Sequence, residues 1–190
     1  MFTGKESFKE FKKEDKPIEY KVKGKWLLFF NDFDFADRIC QQSVDEGVVL
    51  EANHSIEGKY GVCRFFIEAK DLKQHKKILR FLIENNYIPR TKKENNLYDI
   101  AFKLQLQTDN LEYIDSGFMS LLNLHDLVDL QTGEFLDVDD SVFRWISEYL
   151  KEEKLKKRKK KDKDAKIEKS KKKSVKSRKK KYKKNENKKS

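Results

Sequence analysis

The sequence predicts an α+β fold: one sheet with two helices packed on one of its faces. Three observations predict it. Four strand-like runs lie near 26–30, 48–54, 61–68 and 98–104. Two segments with helical apolar spacing separate the first run from the second and the third from the fourth. After about residue 150 apolar periodicity stops and charge takes over.

The elements follow in chain order. Residues 1–17 alternate Lys and Glu and end at Pro17; they read as a flexible arm, or a short helix docked by Phe8 and Phe11. Ile18, Tyr20 and Val22 alternate with Glu19 and Lys21, which predicts a short edge strand broken by Gly24. Trp26 to Phe30 is apolar on both faces, as a covered central strand requires. Asp32 or Asp34 can cap a helix whose buried stripe is Ala36, Ile39, Cys40 and Val44, closed by Gly47. Val48 to His54 reads as a strand and Glu57-Gly58-Lys59 as a turn. Gly61 to Glu68, rich in β-branched and aromatic residues, reads as a strand near the sheet's middle.

Asp71 with Gln74 has capping-box spacing before a helix bearing Leu72, Ile78, Leu79, Leu82 and Ile83. Asn85-Asn86 closes that helix, and Pro89 prevents its resumption. Tyr98, Ile100, Phe102 and Leu104 alternate with polar positions, as in a half-buried strand. Over residues 105–138 one or two further short strands are expected, with a hairpin turn at Gln131 to Glu134. Asp140 or Ser141 then caps a final helix with Val142, Trp145, Ile146, Tyr149 and Leu150 on its apolar face. The order β-α-β-β-α-β is the ferredoxin-like split βαβ sandwich, here with extra C-terminal strand(s) and a helix. The expected divisions are an arm at 1–17, a globular domain at 18–150 and a helical-to-disordered tail at 151–190, with disorder from about Asp162.

Charge divides the same way. Residues 151–190 hold 23 Lys and Arg against 6 Asp and Glu, a net of +17, leaving 21 basic and 27 acidic residues before them, a net of −6. Only the tail is basic, and it is dense: Lys156, Lys157, Arg158, Lys159, Lys160 and Lys161 are consecutive. Lys171, Lys172 and Lys173 follow, then Arg178, Lys179, Lys180, Lys181, Lys183 and Lys184 around Tyr182. Such runs displace condensed counterions from a polyphosphate; with ~6–10 phosphates engaged, affinity falls about 10³–10⁵-fold between 50 and 200 mM salt. One aromatic and no regular spacing predict no sequence preference. An anionic membrane surface and a nuclear-import signal are the other readings of the runs. The −6 body suits a protein partner, in the manner of a viral or prophage regulator.

Cys40 and Cys63 lack C-x-x-C spacing and read as buried thiols of a reducing compartment, with no metal site. The longest apolar run is far short of the ~20 residues of a membrane span, and residues 1–16 lack the core of a secretory signal. A cytoplasmic location is expected, or a nuclear one in a eukaryote. No cofactor is implied.

Two sets of residues invite chemistry. Lys103 alternates off the apolar side of its strand and so points to the face without helices. Arg64 and His54 are candidates to converge there, where such a trio would bind a phosphate group and Lys103 would act as a base. The polar character of an open sheet face is the plainer reading. His75 and His125 have no evident partner. In RNA-recognition motifs the equivalent strand carries basic-Gly-aromatic-Gly-aromatic-aliphatic-x-aromatic. Gly58 to Phe65 matches at Tyr60, Gly61 and Phe65, with Val62 in place of a stacking aromatic, so core packing of Phe65 and Phe66 is favoured.

Gly24-Lys25-Trp26-Leu27-Leu28-Phe29, the order of elements, Tyr87-Ile88-Pro89, and Phe102-Lys103 with Gln107-Thr108 after it resemble the phosphothreonine-lyase-like domain over roughly residues 23–110. Those lyases eliminate phosphate with a Lys as base, a His as acid and basic residues clamping the phosphate. By position the resemblance implies Lys103 as base. Where the family tends to carry a Lys on the second strand, Glu51-Ala52-Asn53-His54 stands here. The sequence therefore favours a non-enzymatic module that binds polyanions through its tail, with a lyase-like or phosphate-binding domain as the alternative.

Overall fold

The computed structural model describes residues 7–13, 18–57, 60–109, 122–159 and 161. Among these residues it is a mixed α+β protein with a six-stranded antiparallel sheet and four helices. The strands are β1 (Ser7–Lys12), β2 (Lys23–Phe30), β3 (Glu51–Glu57), β4 (Tyr60–Glu68), β5 (Ala101–Leu104) and β6 (Leu122–Asn123), in the order β1-β3-β4-β2-β5-β6. The helices are α1 (Phe33–Asp45), α2 (Leu72–Glu84), the short α3 (Gln105–Asp109), and α4 over 144–159. The chain divides into two compact units, Met1–Trp145 and Ile146–Ser190, five residues before the expected boundary. The expected disorder beyond Asp162 lies outside the described residues.

Register assigns the faces. Trp26 pairs with Phe65 and Phe102, Leu28 with Cys63, and Ala52 with Phe65. These side chains are buried on the face that meets the helices, together with Ile39 and Cys40 of α1 and Ile78, Leu79 and Leu82 of α2. Cys40 and Cys63 are both buried free thiols. Gly24 and Gly61 admit aromatic rings on this face. A Cβ on Gly24 would stand 2.1 Å from Phe102 Cζ, and one on Gly61 2.3 Å from Phe30 Cζ. Gly24 therefore lies inside a central strand, not at the break expected there.

Capping follows the sequence closely. Asp32 accepts from Phe35 N at the start of α1, and Gly47 adopts φ +64° after its end. Asp71 accepts from Lys73 N and Gln74 N, but Gln74 Oε1 turns to Glu68 N and its Nε2 to Asp71 Oδ2, so the reciprocal box does not form. The hairpin at 131–134 forms, with Val128 and Phe135 bridged and Asp129 accepting from Gln131 N and Thr132 N. The last helix is capped one residue early: Asp139 accepts from Ser141 N over a 3-10 turn, Asp140–Phe143, that leads into α4.

Four expectations need correction. Residues 7–12 are not part of an arm but an edge strand on β3, with Phe11 buried opposite Ala52. Their Lys-rich alternation suits an edge that must not pair with other chains. Residues 18–20 form no strand; the backbone N–H groups of Lys21 and Val22 donate to the Glu68 carboxylate instead. The second main strand begins at Glu51, not Val48, because Val48 and Val49 N–H groups donate back to Ser43 O at the end of α1. The strand expected over 98–104 keeps only Ala101–Leu104, and all four residues are buried.

His75 pins α2 to the sheet. It is fully buried; Trp26 Nε1 donates to its Nδ1 at 3.2 Å, and its Nε2 donates to Ala69 O at 3.1 Å. The rings of Phe102 and Phe143 lie 4.6 and 4.7 Å away. A second ring proton would meet the Trp26 donor, and burial pushes the imidazole pKa down to about 4. The unfolded chain takes up that proton below about pH 6.5 while the folded chain does not. Stability present above pH 6.5 should therefore be lost as pH falls toward 4, by up to about 3 kcal/mol from this group. Urea unfolding at roughly pH 7 and pH 4.5 measures the loss, which His75→Gln should reduce.

Candidate functional site

The face of the sheet turned away from α1 and α2 carries the polar chemistry. By register, Lys23, Lys25, Leu27 and Phe29 of β2 face this way, as do Glu51, Asn53 and Ser55 of β3, Val62, Arg64 and Phe66 of β4, and Ala101 and Lys103 of β5. Trp26 and Phe102 fill the opposite face, so alternation forces their neighbours Lys25 and Lys103 here.

These cations are not open to water. Lys25 is 4% exposed and Lys103 6%. The two stand directly opposite each other, and Arg64 lies opposite Leu27 on the other side of β2. Lys25 Nζ donates to Gln105 Oε1 at 2.9 Å. Arg64 donates to Asn53 Oδ1 at 3.2 Å and Ser55 Oγ at 2.9 Å. Lys23 holds both Glu51 oxygens, at 2.8 and 2.7 Å, with its ammonium 4.1 Å from the Phe66 ring centre. Burial, then the neighbouring Arg64, pull the Lys25 pKa down to about 8, against an upward pull from Asp109. Burial also lowers the pKa of Lys103.

Sequence reasoning brought Lys103 and Arg64 to this face, and the structure places them there. His54 is not with them. It pairs with Cys63 in register and lies on the helix side, fully buried, with Nε2 2.6 Å from Asp37 Oδ1 and the Phe33 ring 4.8 Å away. The trio of Lys103, Arg64 and His54 is therefore not assembled, because alternation gives His54 the face of Ala52. Glu51 does share the cationic face, where Lys23 neutralises it. Lys25 was the residue missed, since it opens an apolar run; its parity with Lys103 across the β2–β5 pair was the available signal. Phe65 and Phe66 are both buried, as expected, on opposite faces of the sheet, and the ammonium groups of Lys23 and Lys25 lie over the Phe66 ring.

A second feature occupies this side of the molecule. Phe29, Tyr60 and Tyr98 are 58%, 61% and 54% exposed and line a groove of about 570 Å³ with Arg90 and Lys92. His125, unassigned in the sequence, meets Asp99 on the groove's edge: its Nδ1 is 2.7 Å from Asp99 Oδ2 and its backbone N donates to Oδ1 at 3.0 Å. The Asp99 carboxylate raises the imidazole pKa.

Of the polyanion-binding candidates, Lys156, Lys157, Arg158, Lys159 and Lys161 are exposed, and Lys156 pairs with Glu153 at 2.7 Å. Lys160, Lys171, Lys172, Lys173, Arg178, Lys179, Lys180, Lys181, Lys183 and Lys184 lie outside the described residues. Among the described residues no group of three or more His, Cys, Asp or Glu could hold a metal ion, and no helix is long and apolar enough to cross a membrane.

Sheet and site define an α+β protein with an antiparallel sheet whose face away from α1 and α2 is cationic at one end and aromatic at the other. No family model, no curated protein and no solved structure matches the chain.

Burying Lys25 as a cation opposes folding. Its unfolded pKa near 10.5 exceeds the folded value of about 8, so the unfolded chain holds more protons between those values and stability should rise with pH across them. Lys25→Met should raise stability at neutral pH by on the order of 1–3 kcal/mol and flatten that rise. Guanidinium unfolding at about pH 7 and pH 9.5 reads both effects.

Proposed function

We propose that this is a non-enzymatic module of ferredoxin-like fold that binds nucleic acid or another polyanion, without sequence preference, through its Lys-rich C-terminal tail. Support for the fold assignment is the order β3-β4-β2-β5, all antiparallel, with α1 and α2 following the first and third strands of the β-α-β-β-α-β core. Support for the function is the split between a −6 body and a +17 tail. The described start of that tail agrees: Lys154, Lys157, Arg158 and Lys159 are all exposed on α4. Flexible ammonium groups on long stems contact phosphates without reading bases. Each phosphate contact releases condensed counterions, so binding weakens with salt.

Removing residues 156–190 should abolish retention on immobilised heparin or DNA at low salt. Retention unchanged by the deletion overturns the reading.

Lys25 favours a second reading. A lysine with a pKa near 8, opposite Lys103 and near Arg64, has the chemistry for phosphate binding and proton abstraction in a phosphothreonine-lyase-like domain, and the reading requires that the cover over both lysines, each under a tenth exposed, move aside for substrate. The step would take the Cα proton of phosphothreonine, form the Cα=Cβ bond and expel phosphate from Cβ. Phosphate released from a phosphothreonine peptide, and lost in Lys103→Ala and Lys25→Ala, supports it; no release across several peptides overturns it.

A further inference from the structure

We infer that the groove between the end of β2, the start of β4 and the 89–98 hairpin binds single-stranded nucleic acid by stacking its bases on Phe29, Tyr60 and Tyr98. The inference rests on the polyanion reading above and gives that reading its strand preference.

Three large aromatic side chains more than half exposed around one groove are unusual for a surface that only meets water. Their positions suit successive bases. Phe29 pairs with Val62 in register, so Tyr60 is its diagonal neighbour on the same face, at a Cα spacing of about 7–8 Å. Every base has a π-face, so such rings accept any sequence, as a tail without sequence preference requires.

The third ring is held on a rigid support. Tyr98 N donates to Pro89 O at 2.9 Å, and Arg90 bridges Leu97 across the hairpin. Asn95 turns the chain with φ +56°. Arg90 Nη1 donates to Asn95 O and Gln131 O, which fixes the guanidinium beside the groove. A fixed backbone leaves only the side-chain torsions of Tyr98 to order when a base stacks on its ring.

Charge on the rim matches the occupant. Arg90 and Lys92 supply cations for the sugar–phosphate chain. Asp99, the acidic group of the lining, is engaged by His125. The volume of about 570 Å³ lies within the ~300–1,000 Å³ range of small-ligand clefts. A duplex hides the faces of its bases within its own stack and cannot use these rings.

The test uses the full chain and labelled oligothymidylate, oligouridylate and a DNA duplex of equal length, measured by fluorescence anisotropy over a salt series. Both single strands should bind more tightly than the duplex, most visibly at high salt, where the tail's contribution is screened. Tyr60→Ala and Phe29→Ala should each weaken single-strand binding roughly tenfold and leave duplex binding unchanged. Tyr60→Phe should retain it, since the ring and not the hydroxyl does the stacking. Circular dichroism confirms that the variants fold.

Equal affinity for single strands and duplex, or single-strand binding indifferent to Tyr60→Ala and Phe29→Ala, overturns the groove and leaves the tail reading standing. Salt-insensitive single-strand binding that depends on Tyr60 supports the groove and overturns the tail. Binding to none of the three overturns the groove and the nucleic-acid form of the tail reading, which the heparin retention then decides.

Discussion

A buried indole N–H must find an acceptor, and the one Trp26 finds sets much of this structure. Its partner, His75 Nδ1, sits on α2, and the other ring nitrogen of that histidine reaches the carbonyl of Ala69 just before the helix. One side chain thus ties β2, α2 and the β4–α2 connection together without leaving either ring nitrogen unbonded. Placing Trp26 toward the helices also fixes the parity of β2. Lys25 and Leu27 must then face the other way, and the paired strands β4 and β5 carry Arg64 and Lys103 to join them. The cationic face is therefore a consequence of where the largest core residue points.

The sheet's centre was legible because its residues obey simple rules. Trp26 to Phe30 and Gly61 to Glu68 are dense in strand formers, and the caps at Asp32, Asp71 and Gly47 act through local hydrogen bonds that need no tertiary information. The edge was not legible for the opposite reason. Ser7–Lys12 carries charges because it borders solvent, and in sequence a charged edge strand resembles a charged arm. Val48-Val49-Leu50 misled in a different way. It has strand composition, but the N–H groups of Val48 and Val49 are taken by Ser43 O near the end of α1, so the ladder starts at Glu51.

Site legibility turned on alternation. Lys103 was placed correctly because its neighbours Phe102 and Leu104 are unambiguous core residues. His54 was misplaced because the apolar run before it blurs the parity of its strand, although Ala52, two residues earlier, shares its face. Lys25 escaped notice because a lysine beside a tryptophan reads as a strand terminus. What no periodicity conveys is burial on the second face: Lys25 and Lys103 are almost inaccessible, and the cost of that desolvation appears in their lowered pKa values.

The tail and the groove would divide recognition between two kinds of force. Ammonium groups on long stems attract any phosphate chain over roughly a Debye length, which brings the ligand in but does not distinguish one polyanion from another. Stacking acts only at contact and only on bases whose faces are exposed, so it discriminates strandedness while remaining tolerant of sequence. Salt weakens the first and scarcely touches the second, because ring–base contact involves no counterion release. A fold that spends its helix-facing side on its core has one face left on which to hold aromatic rings, and the ends of β2 and β4 carry Phe29 and Tyr60 there. Placing Phe29 and Tyr60 there, with the cations of Arg90 and Lys92 at the margin, would set the contact-range discriminator on the sheet and leave the long-range attraction to the Lys-rich tail.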